Sequence, residues 1–375
     1  MPGKRMKTAV VGCGAISEIY LKNMIHRFQN LEVVACCASH IEHAQKRAEQ
    51  FGIRACTYEE ILQEKEIELV VVLTPAPTHY ELIRRALEAG KHVYTEKTMC
   101  IDLEDAGHLL KLADEKGLYL GAAPDTFLGS AWQTARKALD DGMIGDVTSF
   151  VIHANRDLDV LAGLFSFLRM PGGGICYDYG VYYLTALVSL LGAVHRVCAQ
   201  VKNRSEIRVS RHPEAKNYGE EFRYPNESQV TAVLELENGV SGSFVLNGDS
   251  AIRDLAVFYI YGTKGVLRLT DPNQFGGDVL YIPSSFDRQG NMGTVLENSF
   301  AYSDNSRGVG PAEMADAIAQ GRGHRACKEM AYHVLEVIEC MMRSSESGRF
   351  ETVLSRCERP EEFADGGRLE SGDNA

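Results

Sequence analysis

Between Lys7 and Gly121 short apolar runs alternate with stretches whose apolar residues recur at helical spacing, and this alternation restricts the fold more than any other feature. Thr8–Val11, Leu31–Cys37, Leu69–Leu73, His92–Thr95 and Leu118–Gly121 read as strands buried on both faces, because a strand with one wet face would alternate polar and apolar residues. Ile41–Phe51, His79–Ala89 and Asp102–Lys116 read as helices. Gly52 and Gly90 follow two of them where a helix ends with positive φ. Strand–helix alternation of this kind implies a parallel, doubly wound α/β sheet.

After Pro124 the texture changes. Ala131–Asp140 and Tyr177–Leu191 read as helices, and Val194–Val201, Ser228–Glu237, Val240–Leu246, Leu255–Tyr261 and Gly265–Leu269 as long strands. Asn238-Gly239 joins two of these as a hairpin. Ala326–Met342 reads as a late helix able to return to the first domain. The expectation is a Rossmann-type domain over 1–124 and an α+β domain with a large, mainly antiparallel sheet over 125–357. Residues 358–375 are acidic and poor in apolar side chains, so a mobile tail is expected there.

A net charge of −12 argues against nucleic acid or an anionic membrane as partner, since phosphate surfaces require clustered Lys and Arg. The basic start (Lys4, Arg5, Lys7) runs into an apolar stretch broken at once by Gly12 and Gly14, too short for a signal peptide, and no later stretch is long enough to span a bilayer. The expectation is a cytoplasmic protein. Ten cysteines lack the Cys-x-x-Cys spacing of a zinc site, and Cys36-Cys37 would point to opposite faces of one strand, so reduced thiols and no metal are expected.

Val10-Val11-Gly12-Cys13-Gly14-Ala15-Ile16-Ser17 lies between the first strand and the first helix. Gly12 permits a tight turn, Gly14 lets backbone approach a pyrophosphate, and the helix N-terminus, with Ala15 and Ile16, supplies N–H donors. Ser17 takes the third position of the dinucleotide fingerprint in place of glycine. At the end of the second strand, where NAD enzymes usually carry an acid for the ribose 2′-hydroxyl, the sequence reads Ala38-Ser39-His40. Ser39 and His40 suit a 2′-phosphate, which favours NADP slightly over NAD; a loosely held adenosine end that admits both stays open.

Two more segments complete a pattern: Thr74-Pro75-Ala76-Pro77-Thr78-His79, and Ala89-Gly90-Lys91-His92-Val93-Tyr94-Thr95-Glu96-Lys97. With the glycine turn, Ala123-Pro124-Asp125-Thr126-Phe127-Leu128-Gly129, Gly172–Tyr182 and Tyr261-Gly262-Thr263-Lys264-Gly265, they resemble the Gfo/Idh/MocA oxidoreductases over almost the whole chain. The resemblance implies that Thr74, Pro75 and His79 lie along the nicotinamide side of the cofactor. It also implies that Glu96-Lys97 matches a Glu-Lys-Pro motif whose lysine meets both nicotinamide ribose and substrate hydroxyl. Members commonly pair through the second-domain sheet, which implies a homo-oligomer, dimer or tetramer. Two departures stand out. Thr98 replaces the motif's proline, leaving the following backbone less restrained, and Tyr182 stands where many members carry a histidine.

Oxidising an alcohol by hydride loss requires the hydroxyl proton to leave as well. A phenol of ordinary pKa, about 10, is a poor base at neutral pH, and a nearby ammonium such as Lys97, across the domain interface, would favour the phenolate. A helix starting near Tyr177 puts Asp178, in its first turn, and Tyr182 on one face. Lys97, Asp178 and Tyr182 are thus the catalytic candidates. Asp125, His153, Asn155 and Arg156 join them as candidate substrate contacts, and Gly172–Gly174 and Gly180 leave room for a ligand near that helix. Blander roles stay open: Lys97 on the surface, Asp178 as a helix cap, Tyr182 as a core aromatic. The expected activity is NAD(P)-dependent oxidation or reduction of a sugar, polyol, cyclitol or glycoside. Two alternatives remain: a retained-cofactor cycle of transient oxidation without net redox, and a dinucleotide-binding sensor without turnover.

Overall fold

The computed structural model describes residues 5–251, 256–284, 293–363 and 369. The chain forms two compact units, one of Met1–Leu128, Asp304–Tyr332 and Phe363–Ala375, the other of Gly129–Ser303 and His333–Glu362.

In the first unit six strands, β1 (Met6–Val11), β2 (Leu31–Cys37), β3 (Arg54–Ala55), β4 (Leu69–Val72), β5 (His92–Thr95) and β6 (Leu120–Ala122), form a parallel sheet in the order β3-β2-β1-β4-β5-β6. This is the Rossmann order, and it places the reversal of strand order between β1 and β4. Val70, Val71 and Val72 have no exposed surface, as a two-sided strand requires. The helices α1 (Ser17–His26), α2 (Ile41–Phe51), α3 (Tyr58–Gln63), α4 (His79–Glu88) and α5 (Leu103–Lys116) connect the strands. Their ends follow local chemistry: Gly52 and Gly117 close α2 and α5 with positive φ, and the Asp102 carboxylate caps α5.

The second unit is built on a nine-stranded sheet. Its strands and small hairpin, with helices α6 (Ser130–Asp140), α7 (Leu158–Leu164) and α8 (Val181–Leu191), are β7 (Val147–Asn155), β8 (Val194–Lys202), β9 (Ile207–Val209), β10 (Glu221–Arg223), β11 (Gln229–Leu236), β12 (Ser241–Asn247), β13 (Val257–Gly262), β14 (Gly265–Leu269), β15 (Leu280–Pro283), β16 (Thr294–Val295) and β17 (Glu351–Thr352). The large sheet runs β16-β15-β14-β13-β7-β12-β11-β8-β17; β7 and β12 pair in parallel and all other neighbours antiparallel. Asn238-Gly239 makes the predicted hairpin, with Gly239 at φ 85°. Every residue of α8 is buried, and Tyr183 stacks on Phe258 of β13. The predicted start at Leu255 lies outside the described residues.

Two expectations need correction. Residues 304–332, assigned by sequence to the second domain, belong to the first unit. There α9 (Val309–Gln320) is held by Asn23 Nδ2 donating to the Asn305 and Arg307 carbonyls (2.9 and 2.8 Å), by Asn30 donating to Ala312 O, and by Tyr119 donating to Arg322 O. These contacts join residues 203 to 284 positions apart, beyond the reach of local pattern. The late helix α10 (Lys328–Ser347) is divided between the units at Tyr332/His333. The tail is anchored at its start: Arg359 pairs with Asp140, the Pro360 carbonyl accepts from Arg136, and Phe363, 5% exposed, lies under Arg325. Over 358–363 a few anchoring side chains outweigh the average composition on which the mobile-tail reading rested. Most of 364–375 lies outside the described residues, as does Lys4.

All ten cysteines are free thiols, the described residues hold no cluster of metal-ligating side chains, and no described helix is long and apolar enough to cross a membrane.

Candidate active site

In the first unit the candidate residues gather at the carboxyl ends of β1, β4 and β5. Gly12 follows β1 at φ 106° and donates its N–H to Cys37 O at 2.9 Å. A Cβ there would sit 2.8 Å from the Leu73 carbonyl carbon, so only glycine fits. At Gly14 a Cβ would meet nothing within 4 Å, and Gly14 and Ala15 are exposed. The start of α1 has no side-chain cap; Ile16 stands at that position. An open glycine beside an uncapped helix N-terminus is the cradle a pyrophosphate needs, so these residues fit a dinucleotide. Ser17 does no harm to the fingerprint: it is fully buried, and its hydroxyl folds back to donate to Gly14 O at 2.6 Å. Ser39 and His40 are exposed at the end of β2, with His40 heading α2.

Glu96 and Lys97 follow β5. One Glu96 oxygen accepts the hydroxyl of fully buried Tyr20 at 2.8 Å, and the other accepts the backbone N–H of Lys97 at 3.1 Å. The Glu96 carboxylate is thus a strut that fixes the Lys97 backbone against α1, and its contribution to a cofactor site is indirect. Tyr20 is invisible to sequence reasoning, being 76 positions from its partner.

His79 is also corrected. It is fully buried, with Nδ1 2.7 Å from Thr98 O and Nε2 2.7 Å from Thr74 O. Burial pulls its pKa down against these two carbonyls. The neutral ring donates to one of these carbonyls and packs its other nitrogen against the second, so His79 sits between the Thr74-Pro75 turn and the segment after Lys97. Thr98 is therefore held despite the missing proline, and the Lys97–Thr98 peptide is cis. The Thr74 hydroxyl accepts from Thr78 at 2.7 Å.

Asp125 is not a substrate contact. Its side chain is 1% exposed and accepts the Gly310 N–H at 3.0 Å, capping α9 within the same unit. Burial pushes its pKa up to about 6.

In the second unit Asp178 lies in a π-helical turn, Cys176–Gly180, that precedes α8, rather than in the first turn of an α-helix. Tyr182 follows in the first turn of α8, 8% exposed. Arg156, just past β7, places its guanidinium 3.6 Å over the Tyr179 ring, beside Asp178 in sequence. Tyr179 in turn donates to Asp271 at 2.9 Å.

His153 and Asn155 are corrected. Phe150, Ile152 and Ala154 of β7 are fully buried on the face that carries Phe244 and Leu246, the side chains packed against Gly180. Strand alternation puts His153 and Asn155 on the other face, away from α8. His153 is exposed. The space at Gly173 and Gly174 is likewise occupied by protein: a Cβ on Gly173 would strike Leu168 backbone at 2.4 Å, and one on Gly174 would lie 1.9 Å from a Glu227 oxygen.

Sequence comparison agrees with this architecture. Residues 6–123 match the family described as "Oxidoreductase family, NAD-binding Rossmann fold", and residues 132–268 match the "GFO/IDH/MocA C-terminal domain". An uncharacterized oxidoreductase of Schizosaccharomyces pombe is 30% identical over 54% of this chain, and the match spans about half of that protein's own length (56%). A D-glucoside 3-dehydrogenase of Escherichia coli is 24% identical over 93% of this chain and 97% of its own length. Among solved structures, levoglucosan dehydrogenase in complex with NADH and L-sorbose shares the fold with a TM-score of 0.81 at 17% identity, over 94% of this chain and 99% of the other. The chain belongs to the Gfo/Idh/MocA oxidoreductase family, with its NAD-binding Rossmann fold in residues 6–123 and the family's C-terminal domain in residues 132–268.

Proposed function

We propose that this protein is an enzyme that moves a hydride between NAD(P) and a secondary hydroxyl or ketone of a sugar, polyol, cyclitol or glycoside. The observation that carries the reading is the exposed Gly14-Ala15 turn before the uncapped start of α1, at the same carboxyl end of the sheet as a lysine whose backbone is braced by the Tyr20–Glu96 strut. The bound nicotinamide supplies the hydride acceptor or donor. The Lys97 ammonium hydrogen-bonds the reacting oxygen and stabilises its developing negative charge. Tyr182 takes the hydroxyl proton in oxidation and returns it in reduction. Asp178 orients the substrate by accepting from a neighbouring hydroxyl, and Arg156 lines the same end of the unit. Relatives named as acting on a D-glucoside and, in Bacillus subtilis, on scyllo-inositol with NADP(+) support the substrate class. NADP is slightly favoured, because Ser39 and His40 are exposed where an acid would otherwise exclude the 2′-phosphate. Self-association as a dimer or tetramer, through the open sheet face that bears half-buried Val151, Tyr259 and Tyr261, belongs to the same reading.

The test is to denature purified protein, chromatograph any released dinucleotide, and assay Lys97→Ala and Asp178→Asn with sugars and both cofactors. Released stoichiometric cofactor would favour the retained-cofactor cycle, and an empty protein that turns over would favour an exchanging dehydrogenase. Both variants should bind cofactor and lose at least a hundredfold in kcat. Normal turnover in Lys97→Ala, or failure to bind either dinucleotide, would sink the reading.

A further inference from the structure

The turn that carries Asp178 does not end in solvent. The Ile175 N–H donates to the Glu227 carbonyl at 3.1 Å, and the Cys176 N–H donates to Glu227 Oε1 at 3.0 Å. The Tyr177 N–H dipole also favours the ionised form of the same carboxyl group. Tyr224, three residues earlier, donates its hydroxyl toward Gly173 O and Glu227 O at 3.3 and 3.2 Å, while Asn226 Nδ2 donates to Leu168 O and Met170 O. Residues 224–227 thus form a template for 168–177. No side chain of the helical segment itself caps its start, and the carboxylate from the distant loop takes that task. Gly174 has the matching shape, since a Cβ there would stand 1.9 and 2.0 Å from the two carboxyl oxygens.

We propose that Glu227 is a positioning residue for the proton-handling segment: its carboxylate holds the first N–H groups of the Cys176–Gly180 turn and thereby sets the backbone that presents Asp178 and Tyr182. This rests on the reading of those two residues as the substrate-facing pair. A helix start is the place where a fixed negative charge is most useful, because the unsatisfied N–H groups and the macrodipole both favour it. The residue is partly exposed, but its carboxyl group is desolvated, and with Glu339 nearby its pKa is pushed up to about 7. The groups facing it are Glu339, which accepts the Tyr177 hydroxyl, the Cys176 thiol, and Tyr224, whose ring lies under the Arg208 guanidinium. None of these is a cation in contact with the carboxyl, so its ionisation is left to the backbone N–H groups. The ionised form offers an acceptor to each N–H, whereas the protonated form surrenders one.

The experiment uses full-length Glu227→Gln, Asp178→Asn and the pair Gly174→Ala and Gly174→Ala/Glu227→Ala. In the parent, kcat should rise through pH about 7. Glu227→Gln should keep cofactor affinity within twofold, lose at least tenfold in kcat, lose that limb of the profile, and exchange the Cys176 and Tyr177 amides at least tenfold faster. Gly174→Ala should be damaging alone and milder once Glu227 is truncated. If Asp178→Asn turns over like the parent, the reading of the site has failed. If Asp178→Asn is inactive while folded Glu227→Gln keeps the parental kcat, pH profile and amide exchange, the positioning role is overturned and the reading of the site stands. Equal damage from Gly174→Ala in both backgrounds also overturns it.

Discussion

Gly12 and Gly14 differ by two positions and should respond to the same mutation in opposite ways. At Gly12 an added methyl meets three backbone atoms, Leu73 C at 2.8 Å and Leu73 O and Thr74 N at 2.9 Å, none of which can rotate aside, and φ is 106°. The left-handed backbone costs an L-residue about 1–2 kcal/mol, and forcing a methyl into packed structure about 1–3 kcal/mol more. Gly12→Ala should therefore lose about 2–5 kcal/mol, a fall in melting temperature of roughly 4–20 °C for a domain of this order of size. At Gly14 the methyl meets no protein atom within 4 Å, so Gly14→Ala should melt within about 2 °C of the parent. Its methyl would occupy the approach of a pyrophosphate, and cofactor Kd should rise at least tenfold, about 1.4 kcal/mol. Calorimetry of the ligand-free proteins and titration with NADH and NADPH read both quantities. A Gly14→Ala protein that binds cofactor like the parent would refute the assignment of this turn to the pyrophosphate. A stable Gly12→Ala would refute the packing argument.

Two further outcomes follow from the corrected residues. Asp125 has a folded pKa of about 6 against an ordinary 3.8, so the folded state holds its proton more tightly than the unfolded chain. Its contribution is fully present below pH 3.8 and is lost as pH rises through 6, about 3 kcal/mol in all; urea unfolding of parent and Asp125→Asn at pH 4 and 7 should show that slope flattened in the variant, and identical slopes would disprove it. His153→Ala and Asn155→Ala should leave kcat/KM within twofold, whereas Arg156→Ala should lower it roughly tenfold, about 1.4 kcal/mol of transition-state stabilisation; equal losses at His153 and Arg156 would contradict the strand-face assignment.

Much of the first unit was legible because its signals are local. The strands Leu31–Cys37 and His92–Thr95 and the helix Ile41–Phe51 fall where the apolar pattern puts them, and Gly12 announces its own positive φ. The failures share one cause. Glu96 and His79 were read as cofactor-side residues from the family resemblance and Asp125 as a substrate contact from its motif, but their polar groups face Tyr20 and the Lys97 N–H, the Thr74 and Thr98 carbonyls, and the Gly310 N–H. Gly172–Gly174 were read as space for a ligand, and at Gly173 and Gly174 the space is filled by Leu168 backbone and Glu227. The segment 304–332 carries no local mark of its membership in the first unit.

The sequence by itself determined the alternation that makes the parallel sheet, the glycine turn after β1, and the hairpin at Asn238-Gly239, since each depends on a few neighbouring residues and their backbone freedom. Only the tertiary structure decided which polar groups remain available for chemistry. A carboxylate or imidazole is committed by whichever donor or acceptor the fold brings within 3 Å, and for Glu96, Asp125 and Glu227 that partner lies 76, 185 and 51 positions away along the chain.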